Sequence, residues 1–186
     1  SKYKSFEEVL AALKRGERIV LGGSKGDDIG CHAALIKEIG VTEDQFSYIA
    51  HDATSGAITA ILGGHFDLLI SKPAAASQYV EAGKIKPILA LSTSRFPGNL
   101  NSAPTLSEFG YKNVEVPNWR SIVAPKSMSA EAVAYWTGVF KKVSETETWN
   151  KGYIEKQKLV PDYMDSETFR AYGMQFQKDY LASIGK

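Results

Sequence analysis

The sequence predicts an α/β fold built on a parallel sheet, and two observations carry that prediction. The first is the stretch from Gly56 to Ser92, which reads as helix, strand, helix, strand with almost no residues to spare. Strands joined by helices of this length pair in parallel through right-handed crossovers. The second is a design that recurs three times: a strand ends, a small polar turn follows, and a helix begins. The turns are Ser24 to Asp28, His51 to Ser55, and Ser71 to Pro73. A chain of 186 residues can bury a core without disulfides or metals, and one compact domain is the default.

Each element has its own local signature. Ser5-Phe6-Glu7-Glu8 has the form of a capping box, in which Ser5 receives an early helix N–H and Glu8 reaches back. Phe6, Val9, Leu10 and Leu13 then share one apolar face, and Gly16 ends the helix. Arg18 to Leu21 is the first strand, running into a glycine-rich turn, Gly22-Gly23-Ser24-Lys25-Gly26-Asp27-Asp28. A helix follows over about 29–39, stopped by Gly40, and Phe46 to Ala50 is the next strand. Ala57, Ile58, Ile61 and Leu62 fall at helical spacing as far as Gly63-Gly64, where a glycine takes the left-handed conformation that ends a helix. Phe66 to Ile70 is a nearly continuous apolar run, as expected of a strand covered on both faces. Pro73 suits the first turn of a helix that closes at Gly83, and Pro87 to Leu91 reads as a further strand.

After Ser92 the texture changes. Residues 93–102 read as a loop, and a short helix begins at Pro104 and ends at Gly110. Val114 to Pro125 is extended, broken near its middle by Pro117. Ser129 caps a helix striped by Val133, Trp136 and Phe140, while residues 153–163 are ambiguous. Asp165 or Ser166 starts a last helix with Phe169, Tyr172, Phe176 and Tyr180 at helical spacing, a stripe read as core packing.

Composition excludes several classes. Charge is balanced, 22 Lys+Arg against 21 Asp+Glu, with no long run of either sign, which argues against nucleic-acid or anionic-membrane partners. No apolar stretch is long enough to span a bilayer. The single cysteine, Cys31, excludes an internal disulfide and any multi-cysteine metal site, and reads as a small buried apolar residue. There is no initiator Met and no signal peptide at Ser1, so the chain reads as a processed or truncated product.

The chemistry points to binding. Cys31 and His32 are sequence neighbours on a helix, so their side chains diverge. His51, Asp52 and Ser55 sit in one turn, but with Asp52 adjacent to His51 they do not make an ordinary triad. The three histidines form no pair at helical metal spacing, and the first turn lacks the ending of a nucleotide-binding loop, so neither metal nor cofactor is expected. In open α/β sheets ligands bind outside the carboxyl ends of the strands, where free helix N–H groups favour an anion. The candidates are Ser24, Lys25, Gly26 and Asp27 in the first turn, Thr54, Ser55 and Gly56 in the second, and Ser71 and Lys72 in the third. Any one turn alone reads as a helix cap; the three together suit a carboxylate.

An ordered set of motifs adds a resemblance. Leu62-Gly63-Gly64-His65-Phe66-Asp67, Glu81 to Lys86, Ser94-Arg95, Ala103 to Gly110, and Asn118-Trp119-Arg120 through Ala124-Pro125-Lys126 are similar, in order and spacing, to the extracytoplasmic solute receptors of tripartite tricarboxylate transporters. The resemblance implies a parallel-sheet lobe of a two-lobed, Venus-flytrap periplasmic binding protein (type II-like) with a helical C-terminal tail. On it, residues 1–116 are an α/β ligand-binding lobe. Residues 117–186 are a crossover strand and helices that pack on a first lobe largely outside the chain. It further implies a non-enzymatic periplasmic receptor that holds a di- or tricarboxylate or related organic acid and hands it to membrane permease subunits. In the family a Gly/Ser turn matches Ser24 and Gly26, and a small-residue turn matches Thr54, Ser55 and Gly56. The pair Asp27-Asp28 departs from the pattern, in which Gly, Ser or Thr is common after the first turn, and two carboxylates beside an anion repel it unless one points away or caps the helix. Either both cap the helix, the plainer reading, or the ligand carries an amino group or metal ion.

Two other functions fit the architecture. One is the effector-sensing domain of a transcription regulator, which needs a helix-turn-helix that this sequence does not contain. The other is a small α/β hydrolase using His51 and Ser55.

Overall fold

The structure, a computed structural model, describes residues 2–112, 114 and 119–183, with the side chains of Asp27, Tyr180, Ala182 and Ser183 outside that description. The chain divides into two units, Ser1–Trp119 and Arg120–Lys186. The expected division at 116/117, with Pro117 and Asn118, lies outside the described residues.

Among the described residues, the first unit holds a parallel three-stranded sheet with helices between its strands. Helix α1 (Phe6–Lys14) leads into strand β1 (Ile19–Ser24), and helix α2 (Asp27–Ile39) connects it to β2 (Phe46–His51). Helix α3 (Thr54–Leu62) leads to β3 (Leu68–Leu69), and α4 (Pro73–Glu81) follows. The sheet order is β2-β1-β3, so β1 is central. Its register with β2 runs from Ile19↔Phe46 to Ser24↔His51, and with β3 from Leu21↔Leu68 to Gly22↔Leu69. The core is formed by Phe6, Val9, Ala12 and Leu13 of α1 with Ile19, Leu21, Leu35, Phe46, Leu68, Leu106 and Val114. Phe6 and Phe109 meet edge to face, with ring centroids 5.4 Å apart.

Ser5 caps α1, accepting from the Glu8 N–H at 3.4 Å, but Glu8 reaches the Lys4 N–H at 2.7 Å instead of that of Ser5. Strand β1 extends three residues past the expected end at Leu21. Gly22 and Gly23 are paired strand residues, not turn residues. They are glycine because of what faces them. A Cβ on Gly22 would lie 2.3 Å from Cζ of Phe66, and one on Gly23 would lie 2.3 Å from the Tyr48 hydroxyl. Strand β3 is shorter than the apolar run suggests, but its flanks are tied in. The Asp67 N–H donates to the Val20 carbonyl and the Ile70 N–H to that of Gly22, both at 2.9 Å. The Asp67 carboxylate also accepts from the Val20 N–H at 3.0 Å. The Gly-Gly-His-Phe-Asp motif therefore locks β3 to β1: Phe66 fills the space above Gly22, and Asp67 binds the backbone beside it.

Among the described residues Pro87 to Leu91 does not form a strand; it makes a bridge from Ala90 to Thr105, with the Ala90 N–H donating to the Pro104 carbonyl at 2.8 Å. The helix expected from Pro104 is a single 3-10 turn, Leu106–Phe109, with Thr105 as its cap. The Arg95 guanidinium clamps Glu108, which also accepts from the Thr105 N–H at 3.0 Å.

The second unit contains α5 (Ala130–Ser144), the short α6 (Glu147–Trp149) running into a π-helical turn (Asn150–Glu155), and α7 (Ser166–Ser183). Ser129 caps α5, accepting from Ala132, and Asp165 accepts from the Thr168 N–H at the start of α7. Trp136 stacks on Phe140, and Phe169, Tyr172 and Phe176 follow one another along α7. No described residue of this unit is buried. The α7 stripe, expected to pack in a core, is thus a ladder of rings along one helix with no buried member among the described residues; Tyr180, which would continue it, lies outside the description.

Candidate functional site

All three strands are parallel, so their carboxyl ends share one edge, and the three turns expected to form a site open from it. Ser24 stands beside His51 in the register, and Gly22 stands beside Leu69, a few residues before Lys72. The N-caps of α2, α3 and α4 are Gly26, Ala53 and Lys72, and none makes a side-chain capping bond. By contrast, α1, α5 and α6 are capped by the hydroxyls of Ser5, Ser129 and Thr146. The helices that start at the sheet's carboxyl edge are thus the ones whose first-turn N–H groups receive no acceptor from the cap residue.

The first turn is the most tightly built. Ser24 is 6% exposed and Asp28 3%. Asp28 Oδ2 accepts from the Ser24 N–H at 2.8 Å and from its hydroxyl at 2.5 Å. The Ser24 carbonyl accepts from the Tyr48 hydroxyl at 2.8 Å. Burial, and then the charge of Asp28, push the Tyr48 phenol well above its ordinary range, so it stays a donor. Asp28 is therefore not the N-cap. It is the second residue of α2 and closes the turn from inside, which is where a sequence reading of the acidic pair falls short. Gly26 takes φ 92°, a conformation that other L-residues rarely adopt, and so sets where α2 begins. Asp27 is the first residue of α2.

Lys25 links the first turn to the second. Its N–H donates to the His51 carbonyl at 2.8 Å, continuing the β1–β2 ladder by one bond, and its ammonium lies 2.5 Å from Asp52. Thr54, Ser55 and Gly56 form the first turn of α3. Ser55 and Gly56 are exposed and Thr54 half-buried. In the third turn Ser71 is half-buried and donates to the Lys72 carbonyl at 3.3 Å, while Lys72 is exposed.

His51 lies against Phe66, ring centroids 5.8 Å apart, and beside Gly56. Its Nε2 is buried with no hydrogen-bond partner among the described residues. His32 is also buried, with Nε2 2.6 Å from the Phe46 carbonyl, which makes it part of the core wall behind Tyr48. An open hollow lined by Leu62, Gln78, Tyr79, Ala82 and Lys84 lies at the C-terminal ends of α3 and α4. It is at the opposite end of those helices from the turns, so it does not belong to this site. No described helix is long and apolar enough to cross a membrane.

Comparisons with known proteins agree with this architecture. The sequence pattern described as "TctC: Tripartite tricarboxylate transporter family receptor" matches residues 1–185. The chain is 29% identical over 190 residues to the "UPF0065 protein in gbd 5'region" of Cupriavidus necator, covering 100% of this chain and 56% of that protein. It is 24% identical over 131 residues to the "UPF0065 protein in the TAR-I ttuE-ttuC' intergenic region" of Agrobacterium vitis, covering 68% of this chain and 36% of that one. The chain thus spans about half or less of the length of these relatives. Its fold is similar to that of a TctC solute binding protein from Polaromonas, with TM-score 0.75, 23% identity, and coverage of 100% of this chain and 62% of the other. It is also similar to an R. palustris protein solved with adipate, with TM-score 0.75, 16% identity, and coverage of 98% and 62%. With the motif set on β3 in place and the family pattern running through nearly every residue, the chain belongs to the tripartite tricarboxylate transporter receptor family.

Proposed function

We propose that this protein is a periplasmic receptor that captures a small organic acid, a di- or tricarboxylate or a relative, and passes it to the integral membrane permease subunits of a transporter. The observation that carries this reading is the shared carboxyl edge: three turns on one side of one parallel sheet, each leading into a helix with no side-chain cap. Such helix starts offer N–H donors and positive potential to a carboxylate. Backbone donors around Gly26, Thr54 to Gly56, and Lys72 would hold it, with Lys25 and Lys72 supplying charge. Ser24 would act through the position of the turn, because its hydroxyl is committed to Asp28. Adipate, the acid found with the R. palustris protein of this fold, is of the ligand class proposed.

Residues 117–186 would pack on a first lobe, and the ligand would lie between the lobes. The exposed apolar residues of the second unit, among them Ile122, Val123, Tyr135, Trp136 and Val160, support that reading. A lobe-to-lobe cleft gains affinity by enclosing the ligand, so residues 1–186 alone should bind more weakly than the full-length gene product.

The test is titration calorimetry of the full-length gene product against succinate, adipate, citrate and their amides. Saturable binding of at least one acid and none of the amides is expected. A folded protein that takes up none of the acids overturns the reading.

A further inference from the structure

The ion pair between Lys25 and Asp52 belongs to neither the helices nor the core; it spans two of the three turns. Lys25 follows β1 and is held at its backbone by the His51 carbonyl, and Asp52 follows β2. Their charged atoms are 2.5 Å apart, yet the Asp52 side chain is 90% exposed and that of Lys25 63%. Among the described side chains of the three turns, Asp52 is the exposed carboxylate; Asp28 is turned inward onto Ser24. It lies immediately before the N-cap of α3, in the region whose positive potential favours an anion.

We propose that Asp52 is a specificity-determining residue that competes with the ligand for Lys25. An incoming carboxylate that pairs with Lys25 must displace Asp52, and Asp52 then faces the bound acid as a like charge. An exposed ion pair contributes little, so displacement is easy, but it is not free. The competition lowers affinity for every acid that uses Lys25 and lowers it further where a second carboxylate of the ligand comes near Asp52. A receptor built this way favours acids whose charge is concentrated at one end. This inference rests on the carboxylate reading of the shared edge.

The experiment is calorimetric titration of the full-length gene product, as wild type, Asp52→Asn and Asp52→Ala, with succinate, adipate, citrate and the monocarboxylate hexanoate. Thermal melts of each protein report its fold. Both variants should bind the acids that the wild type binds roughly two- to fivefold more tightly, the range that an exposed ion pair spans. The gain should be larger for the dicarboxylates than for hexanoate and should shrink in high salt. Unchanged or weaker binding in both variants, with wild-type melts, overturns the role of Asp52 and leaves the carboxylate reading standing. A wild type that binds none of the four acids overturns both.

Discussion

The two units of this chain are built by different means. In Ser1–Trp119 a parallel sheet and its helices bury a continuous core, in which Phe6, Val9, Ile19, Phe46 and Leu106 are almost wholly removed from water. In Arg120–Lys186 the helices are well capped and striped with aromatic rings, yet no described residue is buried, and Val123 is 86% exposed and Trp136 47%. Capping and ring stacking along one helix contribute about 0.5–2 kcal/mol each. Burial of a core offsets the far larger conformational entropy of ordering a chain. The first unit therefore has its own source of stability, and the second has local helix signals without one. The candidate edge lies wholly on the unit with the core, where paired strands hold the three turns in register.

The largest expected effect tests that contrast directly. Phe46→Ala should destabilise the protein by about 3–5 kcal/mol in denaturant titrations, because the ring is fully buried and leaves a cavity. Trp136→Ala in the 186-residue chain should cost less than about 1 kcal/mol, since half the side chain already meets water. Equal losses would show that the second unit has a core of its own after all.

A smaller effect concerns the close approach of β1 and β3. Gly22→Ala should cost about 1–3 kcal/mol, because the new methyl overlaps the Phe66 ring. Adding Phe66→Leu should recover part of the loss, and no recovery would mean that backbone conformation, not the ring, demands glycine there. Ser24→Ala removes one of two donors to the buried Asp28 carboxylate and should cost about 1–3 kcal/mol of stability. Wild-type stability with lost ligand affinity would instead make the hydroxyl a direct ligand contact.

The smallest effect is a pH dependence outside the core. The Arg95 guanidinium, with the Thr105 N–H, holds the Glu108 carboxyl at about 2 instead of its ordinary 4.5. A depressed folded-state value stabilises the protein above the unfolded value and is lost as pH falls. The contribution of Glu108 should therefore be complete above about pH 4.5 and fade towards pH 2. Wild type and Glu108→Gln should differ slightly in stability at pH 6 and converge near pH 2. A gap that stays constant over that range would mean the clamp carries no linked proton.

Much of the fold is local enough to be legible in the residues. The capping serines at 5 and 129, the helix stop at Gly63-Gly64, the proline at the start of α4 and the apolar periods of α1 and α3 all act within a few residues of themselves. So do the three strand–turn–helix repeats, and with them the parallel sheet and the edge that holds Lys25, Gly26, Thr54, Ser55, Gly56, Ser71 and Lys72. Decisions between distant residues were not legible. Gly22 and Gly23 look like turn glycines until the Phe66 ring and the Tyr48 hydroxyl are seen against them. Pro87 to Leu91 has the composition of a strand, but strand formation needs a neighbour, and among the described residues it pairs through the Thr105 bridge alone. Ser24 looks like a ligand donor because a hydroxyl in a glycine-rich turn usually is free; here Asp28 takes it. Sequence alone determined helices α1 to α4 and the strands between them, since propensity, capping and periodicity are short-range, while the order β2-β1-β3 came only with the paired sheet. Only tertiary structure decided which polar groups on that edge are already satisfied, because a hydrogen bond or ion pair between residues such as Lys25 and Asp52 exists only once the strands between them have paired.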